Sequence, residues 1–256
     1  MTYVVPWWSP SKFVCWTQCP YEFYLRYVQH EPMVATEALH FGTAVHRGLE
    51  AHYRGTDGAR AFRLAWRELG DELRATGLHV DAGLSAMGLD LVEATIALGL
   101  RGEPERRVWL RTDATLTAPT LGYMDLFSPD AVEVVDFKTT VGAWSQERAE
   151  KEIWQPCLYS WAFWEETGKL PTFRYVVLNR RSGQLEQFVT RRTHDDIAVM
   201  LERAIAISRG VQREEFDCVC PKRNTDCPEC GGHWEHGHVC EPARGLRIKL
   251  RAEKVA

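Results

Sequence analysis

The stretch VEVVDFKTT (residues 132–140) constrains the fold more than any other part of the chain. Val132, Val134, Val135 and Phe137 have the composition of a buried strand, yet Asp136 and Lys138 sit inside it, two residues apart. Side chains at i and i+2 of a strand point to the same side. The sequence therefore puts a carboxylate and an ammonium together on one face of an apolar strand. Burying charge is costly unless the groups are paired or meet a metal ion. Whatever this chain folds into must supply partners for both.

The segments before this strand are helical in pattern. SPSKFVCWTQCPYEFYLRYV (residues 9–28) predicts one helix, capped by Ser9 or Ser11, with Phe13, Trp16, Tyr24 and Tyr27 on its apolar side. ALHFGTAVHRGLEAHY predicts a second, with Phe41, Val45, Leu49 and Tyr53 on one face. GARAFRLAWRELGDELRATG predicts a third along Phe62, Ala65, Leu69 and Leu73, and a fourth runs near 83–100. The pattern then changes to strands: RRVWLRTDATL, TLGYMDLF and VEVVDFKTT, the last two joined by the turn SPDA. Residues 146–167 return to helix, TFRYVVLN and QLEQFVT are strands, and HDDIAVMLERAIAISRG is a helix with Gly210 as its C-cap. This order predicts an α/β (α+β) fold on a mixed central sheet flanked by helices. The expected division is a domain over 1–210 and a cysteine-rich segment with a basic tail over 211–256.

With SPDA as a four-residue loop, Phe127 faces Val132 and Asp125 faces Val134. Asp136 then lies diagonally from Asp125 on the same face, and Lys138 lies one step further along it. Two carboxylates so placed repel unless a cation lies between them, and oxygen ligands favour Mg²⁺ or Mn²⁺. A structural Asp–Lys pair on an edge strand is an equal alternative on spacing alone.

Here a family resemblance enters. GYMD…VVDFKT resembles the G-x-x-D…D-x-K-T signature of the PD-(D/E)XK nuclease superfamily, in its RecB-like branch. Further segments match in the family's order: the Cys-Pro and FYLRY opening, FGTAVH for G-x-x-x-H, and QPCLY for Q-x-x-x-Y. The first acid departs from the pattern in lacking a Pro-Asp pair, since Asp125 follows Tyr123 and Met124. The resemblance implies a restriction-endonuclease-like core. It implies that His46, Asp125, Asp136 and the Phe137 carbonyl bind Mg²⁺ or Mn²⁺ and that Lys138 acts with the two acids in catalysis. It also implies that Gln155 and Tyr159 position substrate. Its function would be metal-dependent hydrolysis of DNA phosphodiesters, as an exonuclease on single strands or duplex ends in recombination and repair. DNA-end processing of the CRISPR-adaptation type is the same chemistry in another pathway.

The chain has eight cysteines. MTYVVPWWSP shows neither a basic nor an apolar leader pattern, and no apolar run reaches about eighteen residues. A cytoplasmic, membrane-free protein with reduced thiols is expected. Ligand roles are then favoured over disulfides, although Cys157 reads as a small buried apolar residue. Members of the RecB-like branch such as the AddB nuclease domain and the CRISPR-associated exonucleases hold a [4Fe–4S] cluster on four cysteines. The resemblance implies Cys19, ahead of Pro20, with Cys227, Cys230 and Cys240. A local Zn²⁺ site on Cys218, Cys220, Cys227 and Cys230, with His233, His236 or His238 as substitutes, stays open. A non-catalytic zinc-containing nucleic-acid-binding protein is the alternative in that case, and the intact Asp125, Asp136 and Lys138 speak against it.

The net charge of −4 argues against a bulk DNA coat, and any polynucleotide contact must be local. Arg106–Arg107, Arg180–Arg181, Arg191–Arg192 and the tail ARGLRIKLRAEK are the basic clusters that could serve. DNA is the expected partner, with a homo-oligomer or a recombination partner protein left open.

Overall fold

A computed structural model describes residues 4–31, 36–75, 81, 83–110 and 116–217. Cys218, Cys220, Cys227, Cys230 and Cys240, the three C-terminal histidines and the basic tail lie outside the described residues. The chain divides into two compact units. The first contains the start of the chain, the segment up to Thr120 and the region from Leu201 onward; the second contains Ala35–Leu110 and Leu121–Met200.

In the first unit, α1 (Pro10–Gln18) starts at Ser9, whose hydroxyl accepts from the Lys12 amide at 3.3 Å. The single helix expected over 9–28 is broken. Cys19 is extended (φ −159°, ψ 110°), and a new helix, α2 (Pro20–Phe23), starts at Pro20 and runs into a π-helical turn at Tyr24–Val28. The cause is local: a residue before proline is pushed out of the α region, while proline itself suits a first helical position. The core here is aromatic. Trp8 stacks on Phe13 at 4.8 Å, Trp16 meets Phe23 edge-on at 5.3 Å, and Phe216 packs against Trp16 at 5.7 Å. α8 (His194–Gln212) begins in the second unit and ends in this one. Gly210 lies inside α8 and is not its cap. A Cβ there would come within 2.8 Å of the Trp16 ring, so packing is what requires glycine.

The second unit holds α3 (Glu37–Tyr53), α4 (Gly58–Ala75) and α5 (Gly83–Ala97), followed by a five-stranded sheet in the order β1-β2-β3-β4-β5. The strands are β1 (Glu103–Leu110), β2 (Thr120–Ser128), β3 (Glu133–Thr140), β4 (Thr172–Asn179) and β5 (Gln184–Arg191). β2/β3 and β4/β5 are antiparallel, while β3/β4 is parallel. A parallel pair needs a long crossover, supplied by α6 (Gln146–Lys151) and α7 (Trp154–Thr167). The apolar stripes of α3, α4 and α5 bury Phe41, Val45, Leu49, Phe62 and Leu91 against Val135, Phe137 and Val176 of the sheet. On the opposite face α7 lays Phe163 on Phe127 at 5.0 Å and Tyr159 on Phe173 at 6.5 Å.

Two expectations are corrected in this sheet. The hairpin pairs Phe127 with Val134 and Ser128 with Glu133, so the loop is Pro129–Val132 and the register is two residues from that expected. An even shift keeps every side chain on its side. β3 is also the middle strand, which removes the alternative of a charge pair on an edge strand.

Candidate metal centre and active site

All the residues of the site belong to the second unit. β3 presents Asp136 and Lys138 on one side, and Lys138 Nζ lies 2.7 Å from Asp136 Oδ2. α3 packs on β1 and β3, and its His46 Nδ1 lies 3.4 Å from Oδ1 of Asp125 on β2. The other oxygen of Asp125, Oδ2, accepts from the Phe137 amide at 2.6 Å and so ties β2 to β3 between the two acids. The Phe137 ring goes to the core, stacked 6.0 Å from Tyr53 and edge-on to His46 at 6.4 Å.

A residue the sequence reading missed completes the group. One ligand atom each from His46, Glu105 and Asp125 lies within 4.8 Å of the others. Glu105 is held at φ +52°, in the left-handed region that non-glycine residues avoid. Strain of this kind persists where the surroundings over-determine it, often at functional sites. Nothing in GEPERR marks one glutamate from the rest, and a polar run at the start of an edge strand reads as solvated surface. The position depends on a backbone departure that the sequence does not announce.

Lys138 is held from two sides, by Asp136 and by Gln155 Oε1, which accepts its proton at 2.6 Å. Gln155 also hydrogen-bonds the Tyr159 hydroxyl, and that hydroxyl accepts from the Tyr123 amide at 3.3 Å. Gly122 makes the last contact feasible, since a Cβ there would lie 2.7 Å from the Tyr159 ring. The glycine of GYMD is thus a packing requirement for the tyrosine of QPCLY. Lys138 keeps 30% of its side chain exposed, whereas Asp136 keeps 4%. The lysine is the more exposed of the two, and the aspartate lies beneath it.

The electrostatics follow from burial and neighbours. Burial pushes the Asp136 carboxyl up to about 6, with Lys138 opposing and Asp125 adding to the rise. Burial also favours the neutral form of Asp125, but the imidazolium of His46 and the ammonium of Lys138 outweigh it and lower its pKa. Burial would lower His46, yet Asp125 overrides it and raises the imidazole to about 9. Lys138 likewise moves up, because Asp136 and Asp125 outweigh the desolvation of its ammonium. Glu105 is raised by burial and by the charges of Asp125 and Glu50.

This donor set fits a divalent metal ion. Carboxylate oxygens with one imidazole suit Mg²⁺ or Mn²⁺, and the ligand atoms of His46, Glu105 and Asp125 already converge. Cys19 is in the first unit, fully buried, as is Cys15, whose thiol burial raises to about 12. The structure does not describe the cysteines expected to join Cys19.

Fold and site together are those of a nuclease. The family model for the PD-(D/E)XK nuclease superfamily matches residues 7–234, and the chain belongs to that superfamily. A similar solved structure is that of a candidate exonuclease from Eubacterium rectale, with a TM-score of 0.56 and 14% identity, over 95% of this chain and 92% of that one. No curated protein matches the chain. Among the described residues, no helix is long and apolar enough to cross a membrane.

Proposed function

We propose that the protein is a RecB-like DNA exonuclease that hydrolyses phosphodiesters of single strands or duplex ends in recombination and repair. The observation that carries this reading is the convergence of His46, Glu105 and Asp125 beside the Asp136–Lys138 pair. His46, Glu105, Asp125 and Asp136, with the Phe137 carbonyl, would hold Mg²⁺ or Mn²⁺. When bound, such an ion lowers the pKa of water and neutralises charge on the phosphate. Lys138 stays protonated at neutral pH and offers its ammonium to the phosphate oxygens as negative charge develops there. Asp136 and Gln155 fix that ammonium in place, so it arrives without reorganisation. Tyr159 fixes Gln155 in turn. The Eubacterium rectale protein, itself named as a candidate exonuclease, supports the reading at the level of fold. Cys19 with Cys227, Cys230 and Cys240 would bind a [4Fe–4S] cluster, the alternative being a Zn²⁺ site within the C-terminal cysteines.

The test uses end-labelled linear DNA and covalently closed circular single strands, with Mg²⁺ or Mn²⁺ and with chelator. Linear strands should be shortened from an end only with metal, and circles should stay intact. Lys138→Ala should lower the rate at least ~10²-fold, as removal of a single transition-state donor does elsewhere. Cleavage that survives chelator, or a Lys138→Ala rate near that of the wild type, would sink the assignment. Cutting of the circles would replace exonuclease by endonuclease.

A further inference from the structure

β1 and β2 carry side chains that the catalytic geometry does not use. Arg106 ion-pairs with Glu166 of α7 at 2.7 Å, so it faces the α7 side of the sheet. Alternation then turns Arg107 and Trp109 to the opposite side, that of α3, while Val108 and Leu110 between and beyond them are buried. Gly122 abuts Tyr159 of α7, so its neighbour Tyr123 also looks away from α7. Trp109 is 44% exposed and Tyr123 47%. Arg107 Cζ lies 5.4 Å from the centre of the Trp109 ring. Among the described residues no carboxylate pairs with Arg107, whereas Arg106 beside it is held by both Glu103 and Glu166.

This surface continues the metal centre. Glu105, Arg107 and Trp109 are alternate residues of β1, and Tyr123 and Asp125 are alternate residues of the adjacent β2. At about 3.3 Å per strand residue, Trp109 lies roughly 13 Å along β1 from Glu105, and Tyr123 roughly 7 Å along β2 from Asp125. Two exposed flat rings and a guanidinium with no carboxylate partner among the described residues thus lie on the two strands that carry Glu105 and Asp125, within roughly 13 Å of them along the strands. An apolar protein partner would leave Arg107 without a counter-charge. A strand with free bases supplies both a π-face for each ring and a phosphate for the arginine.

We propose that Arg107, Trp109 and Tyr123 form a stacking platform that binds the unpaired bases of a single-stranded polynucleotide and feeds its backbone to the metal centre. The proposal rests on the nuclease reading above and assigns the residues that select single strands over duplex. A base-paired end keeps its bases stacked on one another and gains little from the rings.

The experiment measures fluorescence anisotropy of a labelled oligothymidylate and of a blunt hairpin duplex, with calcium in place of magnesium, alongside cleavage of both in magnesium. Trp109→Ala and Tyr123→Ala should each weaken oligothymidylate binding about tenfold. Hairpin binding should stay within about twofold, and Trp109→Phe should restore most of the loss. Arg107→Gln should weaken single-strand binding and flatten its salt dependence. Thermal melting checks that these exposed substitutions leave the fold intact. If wild type binds and cuts the oligothymidylate while the alanine variants match it, the platform is wrong and the nuclease reading stands. Equal losses on oligothymidylate and hairpin would also overturn it, because a phosphate-only surface predicts that. If wild type neither binds nor cuts either polynucleotide, the nuclease reading falls and takes the platform with it.

Discussion

Replacing Asp136 by asparagine should stabilise the metal-free protein while abolishing its activity. Asp136 is 3% exposed, and burial raises its carboxyl from 3.8 to about 6 even with Lys138 at 2.7 Å. A carboxyl whose pKa is raised in the fold binds its proton more tightly there than in the unfolded chain. Its contribution to stability is therefore complete below pH 3.8 and is lost as pH rises through about 6. The gap corresponds to about 3 kcal/mol at neutral pH. A neutral carboxamide at this position would mimic the protonated carboxyl and avoid that loss. In chelator at pH 7.5, urea or thermal unfolding should show the Asp136→Asn protein about 2–3 kcal/mol more stable, or about 5–10 °C higher in Tm. The difference should vanish as pH falls toward 4. Added Mn²⁺ at a thousand times its Kd should reverse the order, because it stabilises only the protein that binds it, by about 4 kcal/mol. Phosphodiester cleavage should drop at least ~10²-fold. If the asparagine protein is the less stable one in chelator at pH 7.5, the ionised carboxylate is already satisfied by Lys138, and the inference that Asp136 awaits a cation is wrong.

Glu105→Gln should leave the fold intact and lower Mn²⁺ affinity by at least about tenfold in calorimetry, since even groups behind a metal ligand cost that much when removed; unchanged affinity would remove Glu105 from the centre. Gly122→Ala should cost about 1–3 kcal/mol in urea unfolding, because its methyl would lie 2.7 Å from the Tyr159 ring. It should also slow single-turnover cleavage by disturbing Gln155 and hence Lys138, and wild-type values for both would refute the packing argument. Burial lowers the Lys12 ammonium from 10.5 to about 8, so the unfolded chain binds more protons between these values. Stability should rise with pH across that window and the slope should flatten in Lys12→Met; a falling slope would contradict the burial. Cys19→Ser should remove bound iron and destabilise the protein if its thiolate joins the C-terminal cysteines, whereas full metal content in this variant would favour a self-contained zinc site.

Most of the fold was legible because its periodicities are strong. The stripe of Phe41, Val45 and Leu49 marks α3, and Val134, Val135 and Phe137 mark β3, both where the sequence places them. What pattern alone did not show is what single residues decide. The helix over 9–28 divides because Pro20 acts on Cys19, a local constraint inside an otherwise helical stretch. Gly210 looks like a terminator because glycine commonly ends helices, but α8 continues past it and the missing side chain admits Trp16. The hairpin register moved by two residues, a change that hydrophobic alternation cannot detect since it leaves both faces as they were. Glu105 was invisible for a related reason: its place beside His46 depends on a strained backbone, and no side-chain pattern encodes a positive φ.

The opposed charges inside VEVVDFKTT now have a physical account that goes beyond their own pairing. In a solvent-exposed Asp–Lys pair both members would be satisfied, and the carboxyl would move below its ordinary range. Here Lys138 moves up as a satisfied cation does, while Asp136 moves up as an unsatisfied acid does. The difference lies first in burial, which the charge of Asp125 reinforces. Asp125 and Glu105 add negative charge to the same pocket, and His46 answers only one of them. With all groups ionised, three carboxylates face two cations, and the deficit falls on the most deeply buried acid. A divalent cation that takes the place of the His46 proton brings the sum of carboxylates, lysine and metal to zero. If the site takes the divalent cation proposed for it, that affinity and the residual instability of the metal-free site share one electrostatic origin, centred on Asp136 on the central strand of the sheet.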